Sequence, residues 1–559
     1  VTGRPLRVAA LAKQVSVLGT VEINPYCRRA IAFGVRLARD TGGTCTVFTM
    51  GPPSAREVLV EAVAFGADAG VHVCDPALAG ADLLVTARAL AGALDKFGPF
   101  DLILVGQSSA DAETGQVGPY LAGLLDLPFT GAASELSVGP GRLHASCQQD
   151  DLVVEVSAAL PAVVAVAERL CPPAKVPAPE RADPGTAISV LDLGVLPAAV
   201  PGSASPTSHR PRPVPAVRRG AVLLSGTASE QARAAVEALA ALGALDEPAA
   251  AGVPEVPAAR PGDLIEVLSD PQHPELTPDL LAAAAEIGGT VRVLCGPGQD
   301  ATDLGRSGAD EIWRWPRRYP GPAAVAAARL RYPPAALVLA PATTWGRTAA
   351  GRYAVATGAG LIADALGFTR IGATTVAQVA AGEVRCDTSP TVVTVRPGVL
   401  PSRLPRPGTA VPQRTWRTDR HPADVTVHGR RRVDDWAALA RASVVVAVGQ
   451  GVDDVRAPAI GALLEVLGAE LAGTRKLTDA GVLPRSRQIG VTGRGVRPRL
   501  YVAIGLSGRP HHLAGIAGAG AVLAINVDPA APVFAGADVG IVAPWQEAVP
   551  ALAAALRAR

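Results

Sequence analysis

Lysine is nearly missing from this 559-residue chain, which holds only Lys13, Lys96, Lys175 and Lys476. Arginine, alanine, glycine and proline are abundant instead, a bias that reads as GC-rich coding rather than as a functional basic surface. The net charge at pH 7 is +2, so neither a nucleic-acid partner nor an acidic interaction tail is indicated. The seven cysteines (Cys27, Cys45, Cys74, Cys147, Cys171, Cys295, Cys386) are scattered, odd in number and never spaced Cys-x-x-Cys. That argues against a disulfide framework and a zinc site, and it suits a reducing cytoplasm. Long apolar runs are missing as well. The longest, 152–170, is broken by Glu155, Pro161 and Glu168, and residues 1–15 carry no apolar stretch of secretory length. A soluble, cytoplasmic protein without a metal is expected.

What is present suffices for several cores. With 49% hydrophobic and 18% charged residues in a chain this long, three or four domains are expected. Short β-rich runs (6–12, 45–49, 71–74, 101–105) alternate with helical patterns (30–39, 55–64, 81–94, 117–125), which predicts a parallel sheet in an α/β domain. Residues 197–215 are rich in Pro, Ser and Arg without periodicity and read as a linker. The alternation then restarts at 221–224 and 230–242, continues through 291–295 and 336–340, and begins a last time with the strand 444–448. The expected organisation is three parallel-sheet α/β domains: 1–196, a linker 197–217, 218–430 and 431–559.

The last domain carries the densest motifs. Strand 444–448 runs into Gly449-Gln450-Gly451 and a helical pattern from 456 to 467, a geometry that lets backbone amides approach a phosphate and that equally fits a plain tight turn. Further on, 499–504 is a strand, 505–508 a glycine turn, 510–517 a short helix and 521–525 a second strand, leading to Asn526. In such sheets ligands gather at the carboxyl ends of the strands.

Four ordered stretches, "GTRKLTDAG" (473–481), "RQIGVTGRGVRP" (487–498), "GLSGRPHHLAG" (505–515) and "INVD" (525–528), resemble the FAD-binding domain of the electron transfer flavoprotein α subunit. "APATTWGRTAAGRYAVATGAGLIADAL" (340–366) and "TVRPG" (394–398) are similar to that subunit's first domain, and "DLILVGQSSADAETGQVGPYLAGLLDLP" with "LPAVVAV" to the β subunit. The resemblance covers nearly the whole chain and implies a fusion, β portion first, equivalent to an α/β heterodimer. It further implies two adenine-nucleotide α-hydrolase-like domains and a Rossmann-like FAD domain.

From the resemblance, Arg475 lies against the flavin ring, where a fixed charge raises the potential, Thr492 bonds near its N5 edge, and His512 faces its O2 edge. Ser507 and Gly508 hold the pyrophosphate or ribityl chain, Asn526 the adenosine end, and His511 stands where the family has Gln. The full implied FAD set is Gln450, Thr474, Arg475, Ile489, Gly490, Val491, Thr492, Ser507, Gly508, Arg509, Pro510, His511, His512 and Asn526. Departures are Gln450 for Arg, Val491 for Gln, Val527 for Lys and Pro544 for Asp, which puts FAD retention and potential in question. In the β portion the resemblance implies a second nucleotide site of Asn24 with Asp111, Glu113, Thr114, Gly115 and Gln116, for AMP or, in electron-bifurcating members, a second FAD, while Asp111 and Glu113 equally fit solvated turn acids.

The family's donor-docking loop corresponds to "CPPAKVPAPERADPGTAI" (171–188), which lacks the leucine anchor and the lysine-rich helix. The leading expectation is an FAD-containing electron carrier between a donor dehydrogenase and a membrane quinone reductase or similar acceptor, without bond chemistry of its own. Two alternatives stand beside it: a bifurcating flavoprotein that oxidises NADH, and a flavin-free nucleotide-binding scaffold.

Overall fold

The computed structural model describes residues 4–17, 20–182, 185–196, 199–211, 219–246, 253–316, 320–379, 384–389, 391–401, 403–408, 410–416, 421–490 and 493–559. The first domain contains β1 (Arg7–Leu11), α1 (Pro25–Thr41), β2 (Thr44–Met50), α2 (Arg56–Phe65), β3 (Ala69–Val73), α3 (Leu83–Phe97), β4 (Leu102–Gly106), α4 (Val117–Leu124), β5 (Phe129–Gly139), β6 (Arg142–Gln149), β7 (Leu152–Ala159), β8 (Ala162–Val166) and β9 (Ile188–Leu191). Then come β10 (Thr207–Pro211), β11 (Val222–Leu223) and α5 (Ala228–Ala241). The second domain contains β12 (Leu264–Leu268), α6 (Thr277–Ile287), β13 (Thr290–Cys295), α7 (Ala301–Arg306), β14 (Glu311–Arg314), α8 (Pro322–Arg329), β15 (Leu337–Pro341), α9 (Thr344–Thr357), β16 (Gly360–Ala365), β17 (Gly367–Ile371), β18 (Thr374–Val379), β19 (Val384–Thr388), β20 (Thr391–Val395), β21 (Gln413–Thr415) and β22 (Thr426–Arg432). The third contains α10 (Trp436–Arg441), β23 (Val444–Val448), α11 (Pro458–Leu467), β24 (Glu470–Gly473), α12 (Arg475–Asp479), β25 (Leu500–Ile504), α13 (Pro510–Leu513), β26 (Ala521–Asn526), β27 (Val539–Val542) and α14 (Trp545–Arg557).

The first two domains share one topology. Seven strands of the first sheet run β9-β3-β2-β1-β4-β8-β5, and the second runs β21-β14-β13-β12-β15-β20-β16. Numbered within each domain, both orders are seventh, third, second, first, fourth, sixth, fifth, and every pairing is parallel. Strands covered on both faces must be apolar along their whole length. The central strands accordingly read as unbroken runs, VVVAV in β23 and LYVAI in β25, each buried at every position.

Each of these domains also lends a strand to the other. After β9 the chain crosses to add β10 antiparallel to β19, and after β21 it crosses back to add β22 antiparallel to β7. Within the expected linker 197–217, residues 207–211 are therefore a strand and not simply a tether. The linker's proline content hides this strand from a periodicity reading, and the crossing is fixed by polar contacts that composition does not show. Asp82 caps α3 through the backbone N–H groups of Leu84 and Val85, both 3.0 Å away, and with its other oxygen accepts the Thr207 N–H at 3.0 Å.

Residues 219–246 differ from their expected place in the second domain. β11 pairs in parallel with β27 at the edge of the third sheet, whose order is β11-β27-β26-β25-β23-β24. On α5, Ala232, Ala235, Val236 and Leu239 join the third domain's core beside Ala548, Val549 and Leu552 of α14. Gln231 closes the junction, donating to the Val542 carbonyl at 3.2 Å and accepting the Val542 N–H at 2.8 Å. The strand and helix were legible locally, but sheet membership depends on which distant edge is free. No helix among the described residues is long and apolar enough to cross a membrane.

Candidate functional site

The carboxyl ends of β23, β24, β25 and β26 lie along one edge of the third sheet and gather most of the expected cofactor residues. Gly449 N–H donates to the Ile504 carbonyl (2.9 Å) and Gly451 N–H to the Gly505 carbonyl (3.0 Å), so the turn after β23 lies on the turn after β25. The approach explains the glycines: a Cβ on Gly449 would stand 2.4 Å from the Gly505 oxygen. Thr474, at the start of α12, donates its N–H to the Val448 carbonyl at 3.2 Å, and Ile489 donates to that of Gly473 at 3.0 Å. Asn526 ends β26 and donates its side-chain amide to the Leu506 carbonyl at 2.8 Å.

The turn 505–509 has the donor set a phosphate needs. Gly505 and Gly508 take φ values of 62° and 73°, and among the described residues no acceptor takes the N–H groups of Ser507, Gly508 or Arg509. Consecutive turn amides of this kind form an anion-binding concavity. Ser507 and Arg509 are exposed beside it. These observations fit the pyrophosphate of FAD. Gln450 accepts from Lys476 Nζ at 2.7 Å, so the turn after β23 keeps a cation although its arginine is absent. Sequence reasoning missed Lys476 because it stands 26 residues away, on another strand's turn.

His512 is drawn down to a pKa of about 4 by burial, opposed by the Ile489 carbonyl, and its Nε2 lies 2.7 Å from the Tyr501 hydroxyl. Gly490 has a φ of 128° and closes a small loop with Arg494 (N–H to carbonyl, 3.0 Å). Val491 and Thr492 fall outside the described residues. Pro510 and His511 begin α13, and only their backbone is described. Arg475 Nη2 is engaged by Glu168 Oε1 of the first domain at 2.7 Å, and its Nε by Asp479 at 3.1 Å.

The second expected site is the loop between β4 and α4. Asn24, fully buried ahead of α1, donates its amide to the Ser108 carbonyl (2.8 Å) and accepts the Ala110 N–H (3.0 Å). It staples the loop. Asp111 pairs with Lys13 at 2.7 Å. Glu113, at φ 53°, has its pKa raised to about 7 by burial, with Arg396, Asp364, Arg475 and Arg347 around it. Thr114 and Gly115 (φ 62°) finish the turn. Gln116 holds the N-cap position of α4, fully buried, and among the described residues its amide has no hydrogen-bond partner. It packs on α9, where a Cβ at Gly351 would stand 2.6 Å from its oxygen.

Glu113 thus looks across the domain boundary at Asp364, which is itself buried and bound to Arg396 (Nε, 3.1 Å) and Arg347 (3.3 Å). Arg475 belongs to the same electrostatic surroundings.

The equivalent position in the second domain is filled by the chain itself. There α9 follows β15 as α4 follows β4, and the Thr344 N–H at its start donates to Asp150 Oδ2 at 3.0 Å, at the β6–β7 tip. Beside it His273 is fully buried, 3.4 Å from Asp151, 4.0 Å from Asp150 and 3.2 Å from Glu275. Arg432 pairs with the other oxygen of Asp151. No pattern in the sequence marked these residues, which come from four separate segments.

The electron transfer flavoprotein domain matches residues 17–192 and 274–419, and the electron transfer flavoprotein FAD-binding domain matches 438–517. The electron transfer flavoprotein subunit alpha of Mycobacterium leprae is 34% identical over 232 residues, covering 40% of this chain and 72% of that protein. Protein FixB of Azotobacter vinelandii is 34% identical over 297 residues, 48% of this chain and 81% of its own length. The electron transfer flavoprotein subunit beta of Thermoanaerobacterium thermosaccharolyticum is 42% identical over 106 residues, 19% of this chain and 40% of that subunit.

Proposed function

Because this chain belongs to the electron transfer flavoprotein family, with α-like and β-like portions in one polypeptide, we propose that it carries electrons from a donor dehydrogenase to an acceptor such as a membrane quinone reductase. The observation that carries the reading is the donor-rich turn 505–509 at the carboxyl edge of the third sheet, with His512 just past it and Arg475 after β24 on the same edge. Bound FAD would supply the reversible electron chemistry. The turn amides and Ser507 would hold its pyrophosphate, and Asn526 its adenosine end. Arg475 would place a fixed positive charge by the ring and so favour its reduced form, and Lys476 would add a cation near the turn after β23.

The loop stapled by Asn24 would hold AMP or a second FAD through the helix start at Gln116 and the turn formed by Asp111, Glu113, Thr114 and Gly115. A cytoplasmic setting fits the dispersed free cysteines. The test is the visible spectrum and the ratio of flavin to protein in the purified chain. One FAD per chain supports the carrier, two would replace it by a bifurcating flavoprotein, and a protein that stays colourless after FAD is supplied would sink both.

A further inference from the structure

Tyr501 lies in β25, the central strand beside β23, with its side chain wholly buried. A hydroxyl in such a place needs a partner, since leaving it unpaired costs roughly 1 to 3 kcal/mol. Its partner is His512, eleven residues on and past the donor-rich turn, with the hydroxyl oxygen 2.7 Å from Nε2. Burial pushes the Tyr501 pKa well up, so the hydroxyl keeps its proton.

His512 is neutral at ordinary pH, since burial holds its pKa near 4. A neutral imidazole has one N–H and one bare nitrogen. The Ile489 carbonyl lies where it favours a protonated ring nitrogen, and a carbonyl can only accept. Among the described residues the Tyr501 hydroxyl has no acceptor other than Nε2, so the nitrogen facing Tyr501 is the acceptor and the ring's N–H is at Nδ1.

We propose that Tyr501 is a positioning residue which, by donating its O–H to Nε2, holds His512 as the Nδ1–H tautomer at the ring end of the cofactor site. The inference rests on FAD occupying the third sheet's edge. His512 then meets added negative charge with an oriented N–H dipole rather than with a cation. Its contribution does not titrate over the range in which an ordinary histidine would.

The test uses the full chain with ¹⁵N-labelled histidine rings and the Tyr501→Phe variant, which keeps the ring volume and removes only the hydroxyl. In the wild type, with or without FAD, His512 should show a protonated Nδ1 and a bare Nε2 from pH 5.5 to 8.5. A protonated Nε2 overturns the proposal, whether or not the variant folds. In Y501F the Nδ1–H tautomer should give way to a mixture, and the equilibrium constant for the first electron should fall about fivefold at equal FAD content. An unchanged tautomer, or an unchanged potential in the loaded variant, overturns it too. If the wild type fails to retain FAD, the reading of the site fails instead, while the ring-nitrogen spectrum still reports on Tyr501.

Discussion

Glu168 and Arg475 tie the first domain to the third: Arg475 Nη2 donates to Glu168 Oε1 at 2.7 Å, and Arg485 joins from the same side, 3.4 Å from Glu168 and 3.2 Å from the Tyr26 hydroxyl. The arginine assigned to the flavin is therefore also an interdomain contact, and the carboxylate offsets part of its charge. Arg475→Ala should lower the flavin potential while FAD content stays the same. Glu168→Gln should raise it. The pair is partly exposed, so each change is worth no more than about 1 kcal/mol, or roughly 40 mV for one electron. Glu168→Gln should also let the third domain move, broadening the small-angle scattering distribution. Redox titrations identical in all three proteins would remove Arg475 from the site.

The buried cluster around His273 makes the junction pH-dependent. Burial alone would lower the His273 pKa, but the hydrogen bond to Glu275 and the charges of Asp270, Asp150 and Asp151 outweigh it and raise it to about 9. Arg432 faces the same carboxylates. The folded value lies above the unfolded one of about 6.5, so the stabilisation is complete below that pH and is lost as pH rises through 9. The full span is at most about 3 kcal/mol. Denaturant midpoints measured between pH 6.5 and 9.5 should fall in the wild type and stay nearly level in His273→Gln. Parallel curves for the two proteins would show that His273 carries no charge in the fold.

Much of the fold was legible because buried parallel strands are written as unbroken apolar runs, and the third sheet's motifs sit at its strand ends as expected. What could not be read depends on long-range pairing. Nothing local distinguishes the β10 segment from a linker or assigns β11 to a sheet edge more than 300 residues away. At the site, glycines and their turns were legible, whereas the partners were not: Glu168 meets Arg475 from another domain, and Lys476 and Tyr501, though inside stretches the sequence singles out, have no spacing that pairs them with Gln450 and His512.

The reciprocal strands give a prediction about the fusion. With β10 on β19, β22 on β7 and β11–α5 on the third sheet, the two portions are held by backbone pairing and packing rather than by covalent connection. A protease site placed after Asp246 and cut in the folded protein should leave one particle on gel filtration with the same FAD content. Elution as two separate fragments at micromolar concentration would show that the connection, not the interface, holds the portions together.

The last prediction concerns donor choice. Where the family carries an anchor and a basic helix, residues 172–177 form neither helix nor strand, and only two short turns follow among the described residues, at Ala178–Glu180 and Gly185–Ala187. The segment is pinned at its base. Ala174 N–H donates to the Arg28 carbonyl at 3.0 Å, Val176 N–H donates to Glu61 Oε1 at 3.2 Å, and Arg181 pairs with Glu61 Oε2 at 3.0 Å. Glu61 is buried and is also held by Arg28 at 2.5 Å. Prolines at 172, 173, 177 and 179 restrict the backbone of this pinned segment, so the loop is preorganised without the family's helix. Ordinary acyl-CoA dehydrogenases should therefore reduce this protein slowly, and a dedicated dehydrogenase quickly. Glu61→Gln removes the carboxylate that Arg28 and Arg181 share, leaving Arg28 with Glu22 at 3.7 Å, and should release the loop at a cost of about 2 kcal/mol. Reduction by the dedicated donor should then slow about tenfold or more while the FAD content and potential stay unchanged. Rapid, saturable reduction of the wild type by a generic acyl-CoA dehydrogenase would show that this loop does not set the choice of donor.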